Sequence, residues 1–288
     1  AKIAVLPVRQ RGRAHGNVEH AVERRREVLL KERTAIVYGA SGAVGGAVAR
    51  AFAREGARVV LAARGRGPLE AAAADIRSRD GQAEVMPVDA TDPQAVEQHL
   101  QAVVGRWGPV SLMFNAVSWA DVQGQVLADM PFDQFFAPIQ TGLTTWFYTG
   151  TALARHMAQH GGGTMLGITA NAGRAPLYGV GGFGVACAAV EHYLRQLAVE
   201  NGPHQVRVCW VRSPGSPDAP GVREAWELYG DRHGLTFDEV HREFAKDVPL
   251  RRITALAQVA NAAVLLASDL AAGMTATMAN ATGGAQID

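Results

Sequence analysis

The stretch YGASGAVGG (38–46) puts glycines at 39, 42 and 45 behind a short apolar run and ahead of a helical pattern. That spacing suits a phosphate-binding turn. It allows tight turning, close backbone approach to a pyrophosphate, and free N–H groups at a helix N-terminus facing the anion. About twenty residues on, where a carboxylate would hold a ribose 2′-hydroxyl, the chain reads LAARGRG, with Arg64 and Arg66 and no Asp or Glu. Either guanidinium suits bidentate pairing with a 2′-phosphate; a pair of solvated loop arginines is the alternative. The expected cofactor is therefore NADP(H). A second stretch, YGVGGFGVACAAVEHY (178–193), runs from a glycine-rich loop into an apolar helix. The two cysteines, Cys187 and Cys209, have neither metal-ligand spacing nor a disulfide framework.

These residues need elements to position them. From residue 34 onward short apolar runs alternate with longer helical patterns. Strands are expected at 34–38, 58–63, 83–89, 110–114, 164–169, 206–211 and near 275–280. Helices are expected at about 44–55, 67–79, 92–107, 132–159, 183–200 and 255–268, with Asp92 as an N-cap and Pro93 at the first helical position. Strands apolar on both faces and joined by helices imply an α/β, Rossmann-like, doubly wound and mostly parallel sheet of about seven strands. A segment at 216–247 mixes Trp226, Tyr229, Phe237 and Phe244 with charges and suits a helical cap.

Composition sets outer bounds. The 288 residues are 48% hydrophobic and 19% charged, with a formal net charge of +1, which describes a globular chain not driven toward polyanions. No apolar run approaches membrane-spanning length and no secretory leader is read, so the expected place is the cytoplasm. Residues 1–33 hold nine Lys/Arg against four Glu. Val18, Val22 and Leu29 share one helical stripe there, so this basic arm is expected to carry a short helix that docks on the body or a neighbour rather than on nucleic acid.

At this point the chain resembles the short-chain dehydrogenase/reductase family across residues 34–288. The resemblance rests on YGASGAVG for T-G-x-x-x-G-x-G, VDATD for D-V-T-D, FNAV for N-N-A-G, VRSPGS for the turn after the sixth strand, and the C-terminal PLRRITALAQVANAAVLLASD…TGGAQID. It implies a single dinucleotide-binding domain over 34–288, NAD(P)(H) binding, a small-molecule substrate and a homodimer or homotetramer. The cofactor residues it implies are Gly39, Ser41, Gly42, Val44 and Gly45 in the phosphate turn. Arg64 joins them at the ribose, Asp89 and Ala90 at the adenine, and Asn115 after the fourth strand. Ala43 stands at the family's middle glycine, its methyl group facing the pyrophosphate.

The family's catalytic serine, tyrosine and lysine have no counterparts here. Aligning ITANAG with the serine segment puts Ala170 at the serine, Phe183 at the tyrosine and Cys187 at the lysine, while Gly142 falls at the supporting asparagine. Positioned acid–base catalysis contributes roughly 10²–10⁴-fold, so substitutes are sought nearby. Tyr178 has the right phenol if its loop folds inward; otherwise its ring packs with the hydroxyl in water. Thr169 offers a hydroxyl donor or is an ordinary strand residue. Cys187 is a thiol acid or a small buried cysteine. Trp119 and Asp121 line the substrate site, or Trp119 anchors the core, and His192 reads as a core or interface histidine. The function expected is an NADP(H)-dependent oxidoreductase with non-standard proton chemistry acting on a small carbonyl, imine, iminium or enone. A non-redox cyclase or isomerase, or a cofactor-binding inactive subunit or sensor, is the alternative.

Overall fold

The computed structural model describes residues 28–287. The expected basic arm lies mostly outside them. Its last residues pack on the body: Leu30 is fully buried and donates its N–H to Glu55 O, and Arg33 pairs with Asp269 at 2.5 Å.

Seven parallel strands form one sheet in the order β3-β2-β1-β4-β5-β6-β7. They are β1 (Thr34–Tyr38), β2 (Arg58–Ala62), β3 (Gln82–Val85), β4 (Leu112–Asn115), β5 (Gly163–Ala170), β6 (Val206–Ser213) and β7 (Thr277–Asn280). All five residues of β1, TAIVY, are buried, because helices cover both faces of the sheet. One core layer joins the sheet to α1 (Ala43–Arg54), α2 (Arg66–Arg77) and α8 (Leu256–Ala267). The other joins it to α3 (Pro93–Trp107), α4 (Phe132–Gln159) and α5 (Gly182–Asn201). Asp92 caps α3 by accepting from the N–H groups of Gln94 and Ala95, with Pro93 at the first position. The segment expected as a cap forms α6 (Pro220–His233) and α7 (Phe237–Ala245), with Trp226 set against Phe237 and Phe244.

The third strand is shorter than expected. Its ladder ends at Val85, and Met86 to Ala90 run on as extended chain held by Met86 N–H to Leu61 O and Val88 N–H to Ala63 O. That extension carries Asp89 and Ala90 to the carboxyl edge of the sheet. Strand order reverses between β1 and β4, so their following loops part there and leave a crevice, the usual place for a ligand in such sheets. Gly39, at φ +74°, sits at this fork. A Cβ on it would lie 2.3 Å from Ala116 O, so only glycine lets the two loops meet. Among the described residues no helix is long and apolar enough to cross a membrane.

Candidate active site

The crevice holds two cavities that share Gly42, Ala116, Val117 and Ser118. The first, of about 410 Å³, lies over the ends of β1 to β3 and is lined by Gly39, Ser41, Arg64, Asp89 and Ala90. Arg66 is absent from that lining: its guanidinium turns to Glu70 at 2.9 Å, one turn along α2. Arg64 is thus the guanidinium left beside the cavity. Asp89 accepts from both the N–H and the hydroxyl of Thr91, and these bonds, with the Arg64 charge assisting, hold its carboxyl below the usual range.

The second cavity, of about 330 Å³, opens over α1 and the ends of β4 to β6. Gly42 to Gly45 line it. No side chain caps the start of α1, and the first-turn N–H groups of a helix lack intrahelical partners. Asn115 is buried at its floor, where Nδ2 donates to Thr149 Oγ1 and Oδ1 accepts from Val117 N–H, tying the β4 loop to α4. The glycine turn, the bare helix start and Arg64 fit a dinucleotide phosphate chain along this crevice.

The far wall is aromatic and apolar. Phe183 and Trp119 stand with ring centroids 5.7 Å apart, and both line the cavity together with Trp146, Cys187 and Asp121. Trp119 lies against Gly142 of α4, where an added Cβ would come within 3.1 Å of the indole. It therefore packs and lines the site at once. The glycines that open α5 serve packing: a Cβ on Gly182 would sit 1.8 Å from Phe135 O of α4. Burial pushes the Cys187 thiol up to about 12, and the Glu191 and Asp121 charges add to this against the Ala170 backbone and Arg212.

Beneath Cys187, one turn along α5, lies a group that the sequence reading missed. Glu191 and Arg212 form an interior ion pair at 2.8 Å, their side chains only 4% and 2% exposed. Thr169 faces Arg212 across the β5–β6 ladder and donates its hydroxyl to Glu191 Oε1 at 2.9 Å. The signal was present as an acidic residue on the buried stripe of α5 and an arginine directly after the apolar run VRVCWV.

Residues 39–286 match the sequence model of a family described as enoyl-(acyl carrier protein) reductase. The chain belongs to the short-chain dehydrogenase/reductase family. An uncharacterized oxidoreductase of Mycobacterium tuberculosis is 29% identical over 88% of this chain and 92% of its own length. A short-chain type dehydrogenase/reductase from Mycobacterium marinum superimposes with TM-score 0.78 at 30% identity, covering 91% of this chain and 98% of that one. A variant of the actinorhodin polyketide ketoreductase, solved with NADPH, gives TM-score 0.79 at 25% identity over 88% and 97%. The chain is an oxidoreductase of the short-chain dehydrogenase/reductase type.

In this family member the expected site residues separate into two groups. The crevice gathers Gly39, Ser41, Gly42, Val44, Gly45, Arg64, Asp89, Ala90, Asn115, Thr169, Phe183 and Cys187. It does not gather Tyr178, which is 90% exposed in the turn before α5 and lines neither cavity. The expectation that this loop folds its phenol inward is corrected, because Gly181 and Gly182 are pinned against α4 and the β4 loop while Tyr178 stays outside. Thr169 is corrected in role: its single proton is engaged by Glu191, so its oxygen is left as an acceptor. Of the two readings of Cys187 the structure has the small buried cysteine and not the thiol acid, since a thiol pushed up to about 12 is neither a thiolate nor a useful acid near neutral pH. His192 points to solvent rather than into the core.

Proposed function

We propose that this protein transfers hydride from NADPH to a small substrate without a proton donor of its own beside the reacting carbon. The observation that carries this reading is the make-up of the second cavity's far wall. Phe183 and a neutral Cys187 stand where the family alignment places tyrosine and lysine, Ala170 stands at the serine, and Thr169 beside it has its proton committed to Glu191; the other hydroxyls of the lining are those of Ser118, Ser213 and Ser216, aliphatic alcohols from the end of β6 and the loops after β4 and β6. None of the groups at the three aligned positions is an acid near neutral pH.

The chain's own residues have a different division of labour. Gly39 to Gly45 and the N-terminus of α1 hold the pyrophosphate, Arg64 pairs with a 2′-phosphate, and Asp89 and Ala90 border the adenine. A bound reduced nicotinamide supplies the hydride. Asn115 fixes the β4 loop that forms the cavity floor, and Trp119, Trp146 and Phe183 exclude water and orient the acceptor. Preference for the phosphorylated cofactor is supported by Arg64 at the cavity edge and by the lack of a carboxylate at the end of β2. Substrates that take hydride at carbon without simultaneous protonation suit such a wall: iminium ions, or enones protonated afterwards by water. The protein works on this reading in the cytoplasm as a homodimer or homotetramer.

The test is turnover of NADPH and of NADH across a panel of ketones, enones and iminium ions. Oxidation of NADPH by an iminium or enone, with NADH at least tenfold weaker in kcat/KM, is the expected result. Failure to bind either cofactor would overturn the proposal.

A further inference from the structure

The charge and shape of the second cavity bear on which acceptor it takes. Among the described residues lining it, Asp121 is the one with a charged side chain; no Lys or Arg joins it. Glu191 behind the cavity is balanced by Arg212 and, from the surface side, by Arg195. Cys187 stays a neutral thiol, and the Thr169 hydroxyl donates to Glu191. The charged part of the lining is thus a single carboxylate, accompanied by the neutral hydroxyls of Ser118, Ser213 and Ser216.

Aromatic surface accompanies that charge. Trp119 and Phe183 form a tilted pair at 5.7 Å, two residues before Asp121 in the chain and one helical turn before Cys187 respectively. Asp121 is fixed at the mouth by its N–H to Trp119 O at 2.9 Å and by Gln123 Nε2 donating to Oδ2 at 2.7 Å. Asp121 is exposed and lines the same cavity as Trp119, Phe183 and Cys187. Indole and phenyl faces beside one carboxylate are the elements that recognise an organic cation, through ring quadrupoles and a counter-charge.

We propose that the cavity selects a substrate whose reacting nitrogen is positively charged, an iminium ion, with the cation set against Trp119 and Phe183 and balanced by Asp121. This rests on the hydride-transfer reading above. In the reaction a C–H bond forms at the iminium carbon from the NADPH hydride, and the π pair of the C=N bond moves onto nitrogen. The positive charge passes from substrate to nicotinamide, and a neutral amine results. No proton enters or leaves, so no acid is needed in place of the family's tyrosine, and Asp121 faces a cation both before and after transfer.

The experiment separates binding from chemistry. The full-length protein, with and without NADPH, is titrated with benzyltrimethylammonium and with its neutral isostere neopentylbenzene, following tryptophan fluorescence and heat. The cation is expected to bind at least tenfold more tightly, and Asp121→Asn to abolish that preference with NADPH affinity unchanged. Trp119→Leu should reduce it as well, and both variants are checked for an unaltered unfolding midpoint. Equal affinity for the two probes, or a preference that survives Asp121→Asn, overturns the inference. It would do so even if NADPH turnover on neutral substrates were found. A clear cation preference with no NADPH oxidation by any acceptor would instead sustain the cation site and overturn the hydride reading.

Discussion

Thr169 and Arg212 face each other across neighbouring strands and address the same carboxylate: Thr169 Oγ1 donates to Glu191 Oε1 at 2.9 Å, and Arg212 Nη2 pairs with Oε2 at 2.8 Å. This buried set ties β5 and β6 to α5 directly below the cavity. Arg195 approaches the same carboxylate at 3.6 Å from the surface side while its guanidinium stacks over Trp210 at 4.9 Å.

Breaking the pair from one side leaves an uncompensated charge in the interior. Glu191→Ala or Arg212→Met alone should lower unfolding stability by about 3–5 kcal/mol. The double variant Glu191→Ala/Arg212→Met should lose less than the two single losses combined, because neither member of the pair is left without the other. Denaturant unfolding of the four proteins measures this, and additive losses would show that the pair is not coupled.

The two arginines after β2 should behave differently, although the sequence offers both for the same task. Arg64→Ala should weaken NADPH at least tenfold, about 1.4 kcal/mol, and leave NADH within twofold. Arg66→Ala should change neither, since Arg66 is engaged with Glu70. Fluorescence titration of the nicotinamide with each variant distinguishes them.

Cys187 should be inert in the folded protein. With its thiol raised to about 12 by burial, the thiolate fraction at pH 8 is only about one in ten thousand. Iodoacetamide should label it after unfolding and not before, and mass spectrometry locates the label. Rapid native labelling near neutral pH would contradict a buried, neutral thiol.

His99 gives the protein a defined acid limb. It is buried beside Tyr38, ring centroids 5.8 Å apart, and burial lowers it to about 4 from an ordinary 6.5. Between those values the unfolded chain binds the proton and the native one does not, so stability falls on acidification from pH 6.5 toward 4. The slope from this group is about 1.4 kcal/mol per pH unit. His99→Leu should flatten the pH dependence over that window while leaving the slope above pH 7 unaltered, as read from urea midpoints.

Local patterns that complete themselves within a few residues were legible in the chain. The TAIVY strand, the Asp92–Pro93 helix start and the glycine turn at 39–45 each carry their own physical reason, and the structure has all three. Apolar character alone misjudged where β3 stops, because Met86 and Val88 remain hydrophobic after the ladder has ended at Val85. The Glu191–Arg212 pair is 21 residues apart in sequence, and only the β5–β6 register and the rotation of α5 bring it together. Trp119 against Gly142 is likewise a tertiary fact: a missing side chain on α4 matters only once the β4 loop is known to lie over it. Tyr178 failed as a candidate for the converse reason, since closeness in sequence to Phe183 did not bring it to the cavity.

The central claim is hydride transfer with no proton from the protein. It is tested most directly by the pH dependence of NADPH oxidation with a permanently cationic N,N-dialkyl iminium ion and with the ketone of matching shape. The account predicts that the iminium is reduced at a rate changing less than about twofold between roughly pH 6 and 9, with the ketone at background, because no group of the site titrates into the reaction. Efficient ketone reduction whose rate falls as an acid in that range loses its proton would contradict it.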